Sequence, residues 1–175
     1  MRAATLKGPK TPSLVTCHSP GDFGLWTLDS GLYPSAVSHK HDKITAIVDE
    51  FQGQDLDPHY LGYFACFNRQ LFFEAHEVLE QIWLPQRHGP NGSFYKGLIQ
   101  LAGAFVHLQK NRPGPAAALF KLAEANLRQY PSPHDRLDLE NVLARIENWL
   151  RQLESNSLIP LSPATDPNLL LAPPR

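Results

Sequence analysis

From about Asp42 onward, apolar residues recur at spacings of three and four, the period of a helix that buries one face. Ile44, Ile47, Val48 and Phe51 form the first such stripe, and Gly53 should end it. Asp57 before Pro58 is a start signal, because a carboxylate can accept from the open N–H groups of a first turn where a proline's missing N–H costs nothing. Tyr60, Leu61, Phe64 and Phe67 give the second helix its buried face. Asn68-Arg69-Gln70 is short enough to fold the third helix, which opens at Phe72, back as an antiparallel neighbour.

Pro85 and the run HGPNGS after Trp83 predict an exposed loop, with Ser93 placed to cap the fourth helix. The segment from Phe94 to Lys110 is apolar nearly all round, which predicts a central helix packed on several sides. Asn111 to Gly114 should break the chain, Pro115 should open another helix running to Tyr130, and Pro131 and Pro133 should end it. Asp135 or Asp138 can cap a last helix with the seam Leu139, Val142, Leu143, Ile146, Trp149, Leu150 and Leu153. No segment asks for a β-strand. The fold class is therefore all-α, a compact bundle of about five to six antiparallel helices over residues 41–154.

The flanks read differently. Residues 1–40 mix Gly, Pro, Ser and Thr with isolated apolar residues, which predicts an irregular N-terminal arm that Trp26 and Tyr33 could dock onto the domain. Its basic start, with Arg2, Lys7 and Lys10, faintly echoes a transit peptide, but the apolar core of a secretory signal is missing. Residues 155–175 carry Pro160, Pro163, Pro167, Pro173 and Pro174, which predicts a disordered tail.

Length and composition set bounds on function. The chain has 175 residues, 42% of them hydrophobic, enough for one domain with a real core. A formal net charge of -1 gives no bulk drive toward nucleic acid or anionic lipid, and no run approaches the roughly 18 apolar residues of a membrane span. The two cysteines, Cys17 and Cys66, make no C-x-x-C pair and no disulfide framework, which suits a reducing cytoplasm. A homodimer stays open.

Candidate chemistry concentrates in FFEAHEVLEQIW, Phe72 to Trp83. On a helix, His76 and Glu80 project about 40° apart, with Phe72, Phe73, Leu79 and Trp83 around them, while Glu74, Glu77 and Gln81 point away. An imidazole and a carboxylate one turn apart can share a divalent ion such as Zn²⁺. Zinc in an open site takes three protein ligands, so a neighbouring helix should supply more. Gln100 and His107 lie on one stripe of the central helix with Lys96, flanked by Gly97, Gly103 and Ala104, small enough for close approach. His59 or His88 could substitute as ligands. HEVLE also resembles the HExxH helix of metalloproteases with its second His replaced by Glu80, which would make Glu77 the general base and the candidate catalytic residue.

Two bland readings compete with the ion. His76 and Glu80 can bond each other or Gln100 in a satisfied network that fixes helix register. The hairpins at about 58 to 84 and about 94 to 130 also suit a non-enzymatic, tetratricopeptide-like interaction module whose grooves bind a peptide or helix.

FNRQLFFEAHEVLEQIW followed by FYKGLIQLAGAFVHL resembles the family called domain of unknown function 309. Its H-x-x-x-E-x-x-W motif is met by His76, Glu80 and Trp83, and its G-L-I-Q segment by Gly97 to Gln100, with Phe73 packing beside the motif. The resemblance implies a compact helical bundle and a motif suggested to bind metal, and it implies no established activity. Asn68-Arg69-Gln70 stands where that family frequently has Asn-x-Gly.

Overall fold

The computed structural model describes residues 44–155 and 168–173, so the arm over residues 1–40, Cys17 and much of the tail lie outside the described residues. Six helices run through the described residues. Residues 44–49 are helical (α1), followed by α2 Pro58–Asn68, α3 Phe72–Gln86, α4 Gly92–Gln109, α5 Pro113–Leu127 and α6 Leu139–Glu154. No strand forms among them; Leu137 makes isolated bridges to His134 and Leu171.

From α2 onward each helix packs on the next in sequence, as short connections dictate. The central helix is α4, buried on most sides as its all-round apolarity predicts. Phe105 shows why: its ring meets Phe67 of α2, Phe72 of α3, Phe120 of α5 and Trp149 of α6 at centroid separations of 4.9–5.5 Å. Aromatic pairs at such distances add to area burial through edge-to-face and offset-stacked contacts. Tyr63, fully buried on α2, donates its hydroxyl to the Leu98 carbonyl of α4 at 2.9 Å, so the one polar atom it brings into the core is bonded.

The ends of the helices refine the expected boundaries. Asp57 caps α2, accepting from the His59 N–H at 2.8 Å, and Asp138, not Asp135, caps α6, accepting from the Asn141 N–H at 3.1 Å. Asp135 and Arg136 instead take left-handed φ values of 42° and 63° in the preceding turn. Ser93 does not cap α4. The N-cap is Asn91, whose side chain is engaged elsewhere, donating to Asp135 Oδ2 at 3.0 Å and lying 3.2 Å from His134 Nε2. The α4 helix begins at Gly92, a position closed to other residues because a Cβ there would sit 2.3 Å from the Arg87 carbonyl oxygen. The next helix opens at Pro113 rather than Pro115 and stops at Leu127. Pro85 lies inside the last turn of α3, so the helix runs to Gln86 and the exposed loop starts later than the proline suggested.

The tail holds a further difference. Residues 168–173 are anchored on the bundle: Asn68 Nδ2 donates to the Leu169 carbonyl, the Leu169 N–H donates to Asn68 Oδ1, both at 2.8 Å, and Leu169 itself is 4% exposed. Proline density alone does not forbid order where main-chain groups find partners.

Candidate functional site

Helix α3 is held by a fully buried stripe, Phe72, Ala75, Val78 and Leu79, with Ile82 nearly so. These residues recur at three and four and fix the rotation of the helix about its axis. That rotation sets where the polar groups fall. His76 is carried to the edge of the stripe and is 7% exposed, a polar side chain taken almost wholly out of water.

Beside it stand Glu77 and Glu80. Taking about 100° per residue, Glu80 lies about 40° from His76 and Glu77 about 100° from it, so helical position alone pairs Glu80 with His76 and sets Glu77 well round the helix. One ligand atom from each of His76, Glu77 and Glu80 lies within 4.8 Å of the other two. The Nδ1 of His76 is 3.6 Å from Glu77 Oε1, longer than a hydrogen bond and within ion-pair reach. Both carboxylates are half-buried, the Glu77 side chain at 16% exposure. Glu77 therefore does not point away from the site as the wheel alone suggested. The side chain has enough torsions to fold back over the turn that carries His76.

His107 is not among the converging donors, and the bond that Gln100 makes through its side-chain oxygen runs to α5. Gln100 is buried at 3% exposure, and its Oε1 accepts from Asn126 Nδ2 of α5 at 2.7 Å. The small residue next in the stripe, Gly97, serves the same interface: a Cβ there would lie 2.8 Å from Leu127 Cγ and 3.3 Å from the Ala123 carbonyl oxygen, both on α5. His107 lies in the last turn of α4, half-buried and outside the group of converging donors. Burial, helped by the nearby charges of Arg112 and Lys110, lowers its proton affinity below that of a free histidine.

Other candidate residues fall outside the trio. His59 joins Asp57, its Nδ1 3.2 Å from Oδ1 at the N-terminus of α2. His88 accepts from Arg87 Nε at 3.1 Å in the exposed loop. Trp83 is half-buried, and Phe73 is 37% exposed.

A second polar cluster has no signal in the sequence beyond turn formers. Asn91 holds both His134 and Asp135 through its side chain, the Tyr60 hydroxyl donates to the Asp135 carbonyl at 3.2 Å, and the His134 ring packs on Phe94 and Tyr130. These bonds tie the turn before α6 to the start of α4. It is a clamp between loops far apart in sequence, which helical periodicity cannot register.

The family comparison bears on the same helices. Residues 60–119 match the model of the family described as Domain of unknown function (DUF309). No curated protein and no solved structure gives a significant match. The matched span contains all of α3 and α4, hence His76, Glu80, Trp83 and the run from Gly97 to Gln100. No helix among the described residues is long and apolar enough to cross a membrane.

Proposed function

We propose that the DUF309 segment of this chain holds a divalent metal ion on α3, through His76, Glu77 and Glu80. The observation that carries the reading is the convergence of one imidazole nitrogen and two carboxylate oxygens within 4.8 Å of each other, on a helix whose rotation is locked by a buried face. The donor set fits. One histidine and two carboxylates match the hard-to-borderline preferences of zinc and similar divalent ions, and three protein ligands leave a coordination position open. Donors about 3 to 4 Å apart suit one ion with metal–ligand bonds of about 2 Å, a spacing small side-chain rotations can reach.

Such an ion would polarise bound water or a substrate carbonyl or phosphoryl oxygen, and metal-assisted hydrolysis is the activity class this supports. The chain's own residues set a constraint on it. With Glu77 drawn to the ligand set, its carboxylate is not a separate proton acceptor, so the proposal is of metal binding and leaves out the base role read from HEVLE. A bound ion would offset the repulsion between the Glu77 and Glu80 carboxylates, and the near-complete burial of His76 would exclude water from one side of the site.

Metal analysis of untagged protein, as isolated and after incubation with Zn²⁺ and dialysis, tests this. One equivalent in wild type, lost in His76→Ala, Glu77→Gln and Glu80→Gln variants that keep their helical circular dichroism, is the expected result. Wild-type protein that neither carries nor takes up an ion would overturn it and leave a hydrogen-bonded, register-fixing role for the trio.

A further inference from the structure

The C-terminal end of α2 and one face of α6 form a groove in which residues 168–173 lie. Asn68, the last residue of α2, grips Leu169 by main-chain atoms alone: its Nδ2 donates to the Leu169 carbonyl and its Oδ1 accepts from the Leu169 N–H, each at 2.8 Å. Farther along, the Ala172 N–H donates to the Arg136 carbonyl at 2.8 Å, and Leu171 makes an antiparallel bridge to Leu137. The side chains alternate as an extended segment requires. Leu169 is buried and lines an apolar hollow together with Phe67, Phe105, Ile146 and Trp149, Leu170 is 78% exposed, and Leu171 is half-buried.

Three bonds to main-chain atoms and one leucine buried against apolar side chains are the elements of extended-peptide recognition, where backbone bonds supply affinity and side-chain burial supplies selectivity. Nothing in these contacts requires the peptide to be covalently attached. We propose that this groove is a site for an extended, leucine-bearing peptide, and that residues 168–173 of the chain itself are its occupant in cis. The inference does not rest on the metal reading, since none of His76, Glu77 or Glu80 lines the groove.

A fluorescent peptide of residues 166–175, followed by anisotropy against full-length protein, tests it. Attachment gives the resident segment an effective concentration on the order of millimolar, so wild type should bind the added peptide weakly. Leu169→Ala, which weakens the resident without touching the groove, should bind it at least tenfold more tightly. Adding Asn68→Ala to that variant should lose that gain, and a peptide with aspartate for its first leucine should fail on all three proteins. Equal binding to wild type and to helical Leu169→Ala, or binding that ignores Asn68, would overturn the proposal. A wild-type dimer that Leu169→Ala dissolves would overturn the cis assignment. Amide exchange on unmodified protein gives a reading free of variants: millimolar peptide should speed exchange at the Leu169 and Ala172 amides, and unchanged protection there would count against displacement.

Discussion

Asn126 on α5 donates its side-chain amide to Gln100 Oε1 on α4 at 2.7 Å, so the buried amide oxygen of the G-L-I-Q segment is satisfied from α5. Gln100 is 3% exposed, and water cannot readily replace the lost partner. Asn126→Leu should therefore destabilise the fold by about 1–3 kcal/mol in urea denaturation, the cost of orphaning a buried acceptor. Asn126→Leu combined with Gln100→Leu should recover part of that loss. Strict additivity in the double-mutant cycle would show that the pair is not coupled. Neither change should alter metal content.

The metal itself should act as a stabilising ligand. At a Zn²⁺ concentration about 100 times its Kd, linkage adds about 2.7 kcal/mol. For a chain of this size that corresponds to a rise in Tm of roughly 5–10 °C, reversed by a chelator. The rise should survive His107→Ala and vanish in Glu77→Gln, because the converging donors include Glu77 and not His107. The opposite pattern would move the site toward α4.

Gly97 sets the distance between α4 and α5. An added Cβ would lie 2.8 and 2.9 Å from two carbons of Leu127, which is fully buried and has little room to yield. Overpacking of this kind costs about 1–3 kcal/mol, and the helical preference of alanine over glycine offsets only about 0.5–1 kcal/mol of it. Gly97→Ala should destabilise wild type much more than a Leu127→Ala background, where the clashing carbons are gone and only the Ala123 carbonyl oxygen at 3.3 Å still crowds the added Cβ. Thermal melts of the four proteins separate packing from propensity.

Gln70 takes a left-handed φ of 60° in the turn between α2 and α3. A side chain in that region costs about 1–2 kcal/mol, and glycine takes it freely at some cost in chain entropy. Gln70→Gly should raise stability by about 0.5–1 kcal/mol, since the carbonyl that accepts from Gln109 Nε2 is unchanged. A loss of stability on this substitution would mean that the glutamine side chain matters more than the backbone strain.

Cys66 is 1% exposed, and burial, reinforced by the Glu74 charge, pushes its thiol up to about 11. Native protein at pH 8 should alkylate at Cys66 far more slowly than a free thiol, as peptide mapping after iodoacetamide would record. The linkage has a definite sign. The folded pKa lies above that of the unfolded thiol, about 8.5, so the stabilisation from burying a neutral thiol is complete below that value and is lost as pH rises toward 11. Cys66→Ala should flatten the stability curve in that window, and a slope unchanged by the substitution would assign it to another group.

Much of this protein is written in periodicity. The stripes of Tyr60 to Phe67, of Phe72 to Ile82 and of Leu139 to Trp149 each recur at three and four, and each became a helix with that face buried, because burying an apolar stripe is a local decision the sequence can carry alone. The same period placed His76 and Glu80 together on α3. It also put Gln100 and His107 on one stripe of α4 beside small residues, which suggested a partnership with that pair.

Which neighbour occupies that direction was decided only by tertiary packing. Rotation of α4 about its own axis is set by Phe105 among four other helices and by Gly97 against Leu127, and these contacts turn Gln100 toward Asn126. Glu77 joins His76 through side-chain torsions that helical position does not specify, and Leu169 finds Asn68 across about a hundred residues of chain. The sequence by itself determined the helices, their buried faces and the histidine–glutamate pair, because each depends on residues within a few turns. The third donor, the role of the glutamine and the docked C-terminal segment depend on distances between elements, which exist only once the chain has folded.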